Sequence, residues 1–244
     1  MNILNRLTVK HLSMNKKRTI VTIVGVLLST ALMVGIGLLF SSVRDNSVKE
    51  IIRNNGSQHV TISSINGNDM LAIEKNIHVA SSSYYTSLGY AKNESENAYK
   101  PYYHLVSSSP SFLETLTLKE GRLPKNDAEI VISDHIKSNG GIDLKVGDKL
   151  TLSLGKRYLN GEELVENDSY YADEEFGYEE FKEERTVTYT IVGIVKRNHI
   201  ESYSAPGYSI FTYDSGMKKD ALYTILLTFK NVKKAYEYGN DIAE

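Results

Sequence analysis

Residues 19–40 carry no charged side chain and read TIVTIVGVLLSTALMVGIGLLF. A helix rises about 1.5 Å per residue, so this run would extend roughly 33 Å, which matches the hydrocarbon thickness of a bilayer. The rest of the chain is too polar to remain in lipid. We therefore predict a single transmembrane helix attached to one large water-soluble part.

The charges that flank this run predict its orientation. Five basic residues and no acidic residue precede it, namely Arg6, Lys10, Lys16, Lys17 and Arg18. The charges just after residue 40 nearly cancel. The positive-inside rule therefore places the N-terminus in the cytoplasm and the rest of the chain outside the plasma membrane. Lys16, Lys17 and Arg18 are predicted to anchor the span at the inner face.

The N-terminal region permits two other interpretations. A cleaved signal peptide would have an apolar run of about 7–15 residues and a small-residue cleavage site. This run is longer and no A-x-A pattern follows it, so a retained helix is favoured. Residues 2–15 could form an amphipathic helix on membrane lipids, or their charges could only set topology. The apolar side chains of that helix would be Ile3, Leu4, Leu7, Leu12 and Met14.

Four regions follow from these patterns. They are a basic cytoplasmic segment (1–18), a transmembrane helix (19–40), a helical stalk (41–56) and an extracytoplasmic domain (57–244). Val48, Ile51 and Ile52 continue a helical spacing beyond the span, and Gly56 is predicted to stop the helix.

Charge and cysteine content limit the function of the extracytoplasmic domain. The five basic residues before the span contribute +5 to a net charge of −2, so the remaining chain carries about −7. This balance argues against a nucleic-acid partner. The chain has no cysteine, which excludes disulfides and thiol chemistry.

The pattern of residues 57–244 predicts an α+β fold. Alternating apolar residues indicate strands, and four short stretches indicate helices, the last of them capped by Asn231. Each of three strands is expected to bury one face. The residues expected on those faces are Leu150, Leu152 and Leu154 in 149–154, Val187, Tyr189, Ile191 and Val195 in 186–195, and Tyr223, Ile225, Leu227 and Phe229 in 222–229. The predicted strands are 57–63, 129–133, 149–154, 186–195, 208–213 and 222–229, and the predicted helices are 68–74, 111–115, 134–138 and 232–242.

Residues 162–184, the acidic segment, interrupt this pattern between two strands. They contain eleven acidic residues, one basic residue and several interleaved aromatic residues. The segment could be a solvated, flexible hairpin, a contact surface for a cationic partner such as a basic peptide, or a calcium site. The calcium signal is weak because the spacing lacks the glycine and acid pattern of an EF-hand loop.

No catalytic or cofactor motif is recognisable. A P-loop, G-x-S-x-G, H-E-x-x-H and C-x-x-C are all missing, and the six histidines lack metal-ligand spacing. Asp134 and His135 are adjacent, but neighbouring side chains diverge on a helix. We predict no enzyme activity, no metal and no cofactor.

Five short pieces, in this order, resemble the permeases of the FtsX/MacB group of ABC transporters. The entry KHLSMNKKR (10–18) runs straight into the span, and the other pieces lie in the predicted domain. Arg122 in the second piece is expected to pair with a nearby acid, and Gly193 in the last indicates a bulge or close backbone approach. Those pieces are FL with EGRLP (112–113, 120–124), EIVIS (129–133), LKVGDKL (144–150) and YTIVGIV (189–195).

The resemblance implies a role in transport. Such a permease works with a separate ABC ATPase subunit, whose motion would pass through the span and stalk to the outer domain. It also implies further permease segments or a second permease subunit, so this chain would be a fragment of a longer permease. The implied substrates are peptides or lipid-like molecules, with Glu174, Glu175, Phe176 and Tyr178 as expected contacts. The alternative is a single-span, membrane-anchored binding protein.

Overall fold

The computed structural model describes residues 3–166, 168–202 and 204–243, which form two compact units divided after Ile52. The first unit contains α1 (Ile3–Met14) and most of α2 (Lys16–Asn55). The side chains of Leu4 and Leu12, expected on the apolar face of the first helix, lie outside the described part, as does residue 2 of that prediction.

Helix α2 is one continuous helix of 40 residues, about 60 Å long. Its stretch Lys16–Ile52 is the one described helix that is long and apolar enough to cross a membrane, with a mean hydropathy of 2.5. The most apolar part of this stretch is not buried against other described residues. The helix ends at Asn55, and Gly56 has a φ of +82°, which confirms the predicted helix stop.

The second unit is a strand-rich domain with short helices, which confirms the predicted α+β class and is called the α+β domain below. Its strands are β1 (Val60–Asn66), β2 (Val79–Lys92), β3 (Tyr102–Ser108), β4 (Leu118–Gly121), β5 (Glu129–Ser133), β6 (Lys149–Leu159), β7 (Glu162–Glu163), β8 (Ala172–Asp173), β9 (Gly177–Tyr178), β10 (Glu180–Val195), β11 (Gly207–Tyr213) and β12 (Leu222–Phe229). Its helices are α3 (Gly67–Glu74), α4 (Pro110–Leu113), α5 (His135–Gly140) and α6 (Ala235–Ala243), the last preceded by a short 3₁₀ turn.

Six strands close into a ring. The main sheet runs β1-β12-β2-β3-β11-β5-β10-β6-β7, and β2 also pairs with β6 through Tyr90 and Gly155. Parallel pairs join β3 to β11 and β5 to β10, while the other neighbours are antiparallel. Buried side chains from all six strands of the ring form one cluster that includes Leu105, Ile130 and Ile210. This cluster therefore fills the inside of the ring.

Several predicted inward faces are confirmed. Leu152 and Leu154 of β6 are buried in the ring interior. Tyr223, Ile225, Leu227 and Phe229 of β12 pack together in a second cluster with α3 and α6. Asn231 caps the final helical segment, because its side chain accepts a hydrogen bond from the amide of Lys233.

The expected single face of β10 is wrong at its end. Tyr189 and Ile191 point into the ring, but Val195 packs outside it with Val192 and Phe112. The pairing register of β10 with β5 shifts between Ile191 and Gly193. A bulge adds one residue to the strand, so the alternation of faces reverses beyond it.

Two strands that frame the ring have no clear sequence signal. β2 is rich in serine and its register shifts between Ser87 and Gly89, so its alternation is broken. β3 is buried at every position, and a strand buried on both faces shows no alternation. Periodicity alone therefore does not identify either strand.

Candidate functional site

The acidic segment is folded at its base and exposed at its tip. It leaves the ring between β6 and β10, contributes β7 to the edge of the main sheet, and forms a small separate hairpin from β8 and β9. β10 begins at Glu180, and its first residues pair with the end of β6. The segment is therefore an extension of the β6–β10 strand pair.

A buried ion pair attaches this extension to the ring. The Arg157 guanidinium donates hydrogen bonds to both carboxylate oxygens of Glu179, at 3.1 and 2.9 Å. The two side chains are 0% and 1% exposed. Burial opposes the charge on Arg157, but the hydrogen bonds and charge of Glu179 outweigh it and raise the arginine pKa.

The remaining donors of Arg157 hold the loop that precedes the hairpin. Its guanidinium donates to the carbonyl oxygens of Asp168 and Ser169, at 3.2 and 2.8 Å. It also lies 5.0 Å from the ring centroid of Tyr90 and 5.7 Å from that of Tyr102. One side chain thus connects the loop, the hairpin and the ring wall.

The tip of the hairpin is built as a tight turn. The Asp173 carboxylate accepts hydrogen bonds from the amides of Glu175 and Phe176, and Gly177 adopts a φ of +102°. Phe176 and Tyr178 are 56% and 66% exposed, and the carboxylates of the turn lie in solvent. The structure therefore brings the four predicted contact residues, Glu174, Glu175, Phe176 and Tyr178, onto one exposed turn.

The three predicted membrane-anchoring residues begin α2. Lys16, Lys17 and Arg18 occupy its first turn and are exposed, and no acidic residue accompanies them there. They follow the end of α1 after a single residue and directly precede the uncharged run 19–40.

The motif pieces found in the sequence meet around one stretch of β10. Gly121 pairs with Gly193, and a Cβ atom on either residue would clash with the facing backbone. This confirms the close backbone approach predicted at Gly193. Gly147 donates its amide hydrogen to the carbonyl of Ile191 at 2.8 Å, so the V-G-D turn docks on the same stretch.

Arg122 forms the predicted pair with an acid. Its guanidinium makes a two-pronged contact with Glu129, at 2.7 and 2.6 Å. The hydrogen bonds from Arg122 lower the pKa of Glu129 to about 2. These motif residues support the turns and strand contacts of the fold and form no catalytic arrangement.

His135 makes a structural contact with an acidic side chain. His135 bonds to the buried carboxylate of Glu201 at 2.6 Å, while the neighbouring Asp134 accepts the amide of Arg197, so their side chains diverge as expected. No group of three or more metal-ligating side chains is found among the described residues.

Sequence reasoning missed the Arg157–Glu179 pair. Leu150, Leu152 and Leu154 alternate inward, which would make Lys156 the next inward residue. Arg157 instead lies on the opposite face of β6, beside Tyr90 and outside the ring-interior cluster, and it is buried there with Glu179 of the acidic segment. The sequence contains one signal for this ion pair: an alternating strand ends in a basic residue beside an acidic stretch.

The class is defined by a helix long and apolar enough to cross a membrane, followed by an α+β domain that carries an exposed acidic hairpin. The sequence profile of the MacB-like periplasmic core domain matches residues 19–234. The chain therefore belongs to the MacB-like periplasmic core domain family, and the resemblance to FtsX/MacB-like permeases is confirmed.

Three solved structures are similar to this chain at low identity. The periplasmic region of MacB from Actinobacillus actinomycetemcomitans has 12% identity and a TM-score of 0.41, covering 75% of this chain and 74% of that one. The extracellular domain of the noncanonic ABC-type transporter YknZ from Gram-positive bacteria has 10% identity and a TM-score of 0.41, covering 75% and 94%. A permease protein domain from Porphyromonas gingivalis has 14% identity and a TM-score of 0.39, covering 70% and 65%. A search of curated proteins found no match.

Family membership supports a coarse functional statement. The α+β domain is the periplasmic-type domain of an ABC transporter permease family. Members of this family are transporter components, generally non-catalytic, and the family implies an ABC ATPase as partner. The apolar helix and this type of domain together indicate a membrane-anchored chain with an extracytoplasmic domain.

Proposed function

We propose that this chain is the N-terminal part of an ABC transporter permease that couples ATP hydrolysis in a partner subunit to movement of the α+β domain. The observation that carries the proposal is the family match, which begins at Thr19 and continues to Lys234. It includes the apolar part of α2 as well as the domain, so the span and the domain form one family unit.

The proposed mechanism is mechanical. The partner ATPase alternates between two arrangements on the cytoplasmic side, and α1 and the start of α2 follow it. A long helix without a proline transmits displacement along its axis, and α2 contains none over its 40 residues. The ATPase would then bias a two-state equilibrium that the α+β domain reads.

The orientation of the chain follows from its basic end. Lys16, Lys17 and Arg18 are exposed and directly precede the uncharged run 19–40, where anionic headgroups and the positive-inside rule favour cations on the cytoplasmic side. We therefore place the N-terminus in the cytoplasm and the α+β domain on the extracytoplasmic side of the plasma membrane.

The absence of cysteine makes this orientation directly testable. Single cysteines at Ser13→Cys in α1 and Lys219→Cys on the exposed surface of the α+β domain would be treated with a membrane-impermeant maleimide. In intact spheroplasts we expect Lys219→Cys to react and Ser13→Cys to react only after permeabilisation. The reverse pattern would contradict the proposed orientation, and a mature chain lacking residues 1–40 would identify a signal peptide.

The exposed hairpin turn is proposed as a contact for a cationic peptide. Glu174 and Glu175 supply negative charge, while Phe176 and Tyr178 supply exposed aromatic surface beside it. A basic, amphipathic peptide complements both features, through ion pairs, cation–π contacts and apolar burial. Peptide or lipid-like molecules are the substrate class that the resemblance implies.

The contact is tested in the complete permease with its ATPase. We expect Glu174→Gln, Glu175→Gln and Phe176→Ser combined to abolish stimulation of ATP hydrolysis by a cationic amphipathic peptide, because charge and apolar surface are both lost. Basal ATP hydrolysis should not change. A matched control, Glu162→Gln with Glu163→Gln at the base of the same segment, should keep the stimulation. Equal stimulation in the tip variant and the wild type would rule out this role for the hairpin.

A further inference from the structure

A cleft of about 580 Å³ lies where β2 leaves β12 and joins β6. β2 pairs with β12 up to Tyr85 and with β6 at Tyr90, and the residues between them form the floor of the cleft. The start of β12, with Leu222, and the bulge of β1, with Ser64, form one wall. Residues 163–166 of the acidic segment form the other.

Two backbone irregularities open this cleft. β2 bends at Gly89, whose φ is +110° and where a Cβ would lie 2.7 Å from the carbonyl oxygen of Gly155. The β1 wall contains Ser64 at a φ of +62°, in a break of register between Ile62 and Ile65. A non-glycine residue in the left-handed region is strained, and such strain is often located at functional sites.

The carboxylates of the cleft exceed its available cations. Lys156 is engaged by Glu163 at 2.9 Å, and Arg157 is engaged by the buried Glu179. Among the described residues, Glu166 and Glu184 have no ion pair. Glu166 accepts one hydrogen bond, from the Tyr85 hydroxyl at 3.3 Å, and burial raises its pKa because its charge lacks a partner.

A second, independent observation points to a missing ligand. Tyr90 is only 5% exposed and lines the cleft, and its hydroxyl has no hydrogen-bond partner among the described residues. The Arg157 guanidinium lies over its ring, 5.0 Å from the centroid. A buried hydroxyl without a partner is costly, and a ligand that supplies a donor would remove that cost.

We propose that this cleft binds a primary alkylammonium group, with the Glu166 carboxylate as counter-ion and the Tyr90 hydroxyl as hydrogen-bond acceptor. The apolar side chains of Leu88, Val165 and Leu222 line the same cleft and can cover an alkyl stem. A bare metal ion is a poorer fit, since the described residues offer no cluster of three ligating side chains. The site is separate from the hairpin turn and does not depend on the function proposed for it.

The test is calorimetric titration of the full chain in nanodiscs of zwitterionic lipid at pH 7.5. The probes are Nα-acetyl-lysine methylamide, which keeps a free ε-ammonium group, butylamine, and the neutral Nα-acetyl-norleucine methylamide. We expect the lysine amide to bind at least about tenfold tighter than the norleucine amide, as a charged hydrogen bond requires. If butylamine binds as tightly as the lysine amide, a free alkylamine is a sufficient ligand. If only the lysine amide binds, the ligand is a lysine side chain of a peptide. Equal affinity for charged and neutral amides would overturn the proposal.

Two variants locate the binding. Tyr90→Phe removes a hydroxyl that has no partner, so the fold should be retained while the affinity for the lysine amide falls severalfold. Glu166→Gln should lower the affinity by about tenfold or more. The matched control, Glu174→Gln with Glu175→Gln, removes two exposed charges elsewhere and should leave the affinity within about twofold, since exposed charges are screened. An unchanged affinity in Tyr90→Phe, or an equal loss in the control, would overturn the assignment even if Glu166→Gln proved unstable.

Discussion

Arg157→Met is expected to lower the free energy of unfolding of the α+β domain by about 3–5 kcal/mol, the cost of breaking a buried ion pair. It leaves the Glu179 carboxylate, 1% exposed, without its cation. It also removes the donors that bond the carbonyl oxygens of Asp168 and Ser169. The chain contains no tryptophan, so urea unfolding would be followed by tyrosine fluorescence and circular dichroism.

The neighbouring residue provides a matched control. Lys156 pairs with Glu163 at 2.9 Å, but the two side chains are 42% and 48% exposed. An exposed pair contributes between 0 and about 1 kcal/mol, so Lys156→Met should have a small effect. The double variant Arg157→Met with Glu179→Leu should recover part of the loss, because no buried charge remains. Equal costs for Arg157→Met and Lys156→Met would mean that the buried pair does not hold the acidic segment.

Acid is expected to destabilise the α+β domain through His104, and the loss should begin below about pH 6.5. His104 is buried in β3, and burial together with the nearby charge of Arg157 lowers its pKa to about 4. In the unfolded chain its pKa returns to about 6.5. The unfolded state therefore binds a proton that the folded state does not, and stability falls as the pH decreases from 6.5 towards 4. The expected loss is about 3 kcal/mol between pH 7.5 and pH 4.

His104→Phe should remove this share of the acid sensitivity. A phenyl ring can keep the stacking on Tyr90, at 4.7 Å between ring centroids, while the exposed Ser87 hydroxyl that bonds His104 can turn to water. The cost at pH 7.5 should stay below about 1 kcal/mol. His78→Phe is the control, since His78 also stacks on a tyrosine but is only partly buried. The measurement is urea unfolding across the pH range. An identical pH dependence in the wild type and His104→Phe would disprove the role of His104. Burial also lowers the pKa of His199, so we expect His199 to account for the acid sensitivity that His104→Phe retains.

Local sequence patterns predicted those helices and strands that keep the same surroundings, or the same buried face, along their length. The apolar run of α2 is not buried against other described residues at any point, so its composition alone identifies it. β6 and β12 each have one buried face, and their alternation matched the structure at Leu152, Leu154, Ile225 and Leu227. The glycine in the I-V-G-I-V piece was predicted as a close approach, and the facing backbone of β4 is the reason for it.

Bulges account for most of what those patterns could not predict. A bulge reverses the buried face of a strand, and its position depends on the partner strand rather than on the strand's own sequence. This is why Val195 lies outside the ring although Ile191 of the same strand lies inside it. The same effect at Gly89 and Ser64 created the cleft beside Tyr90.

The sequence by itself determined that the chain has one apolar span, a basic N-terminal end and an α+β domain with an acidic, aromatic segment. These properties depend on composition and short-range periodicity, which any stretch of chain carries alone. Only the tertiary structure decided that β2 and β6 close a ring, that Arg157 and Glu179 form a buried ion pair, and that Glu166 and Tyr90 share one cleft. Those contacts join residues distant in the chain, and their geometry depends on strand register, which local sequence does not encode.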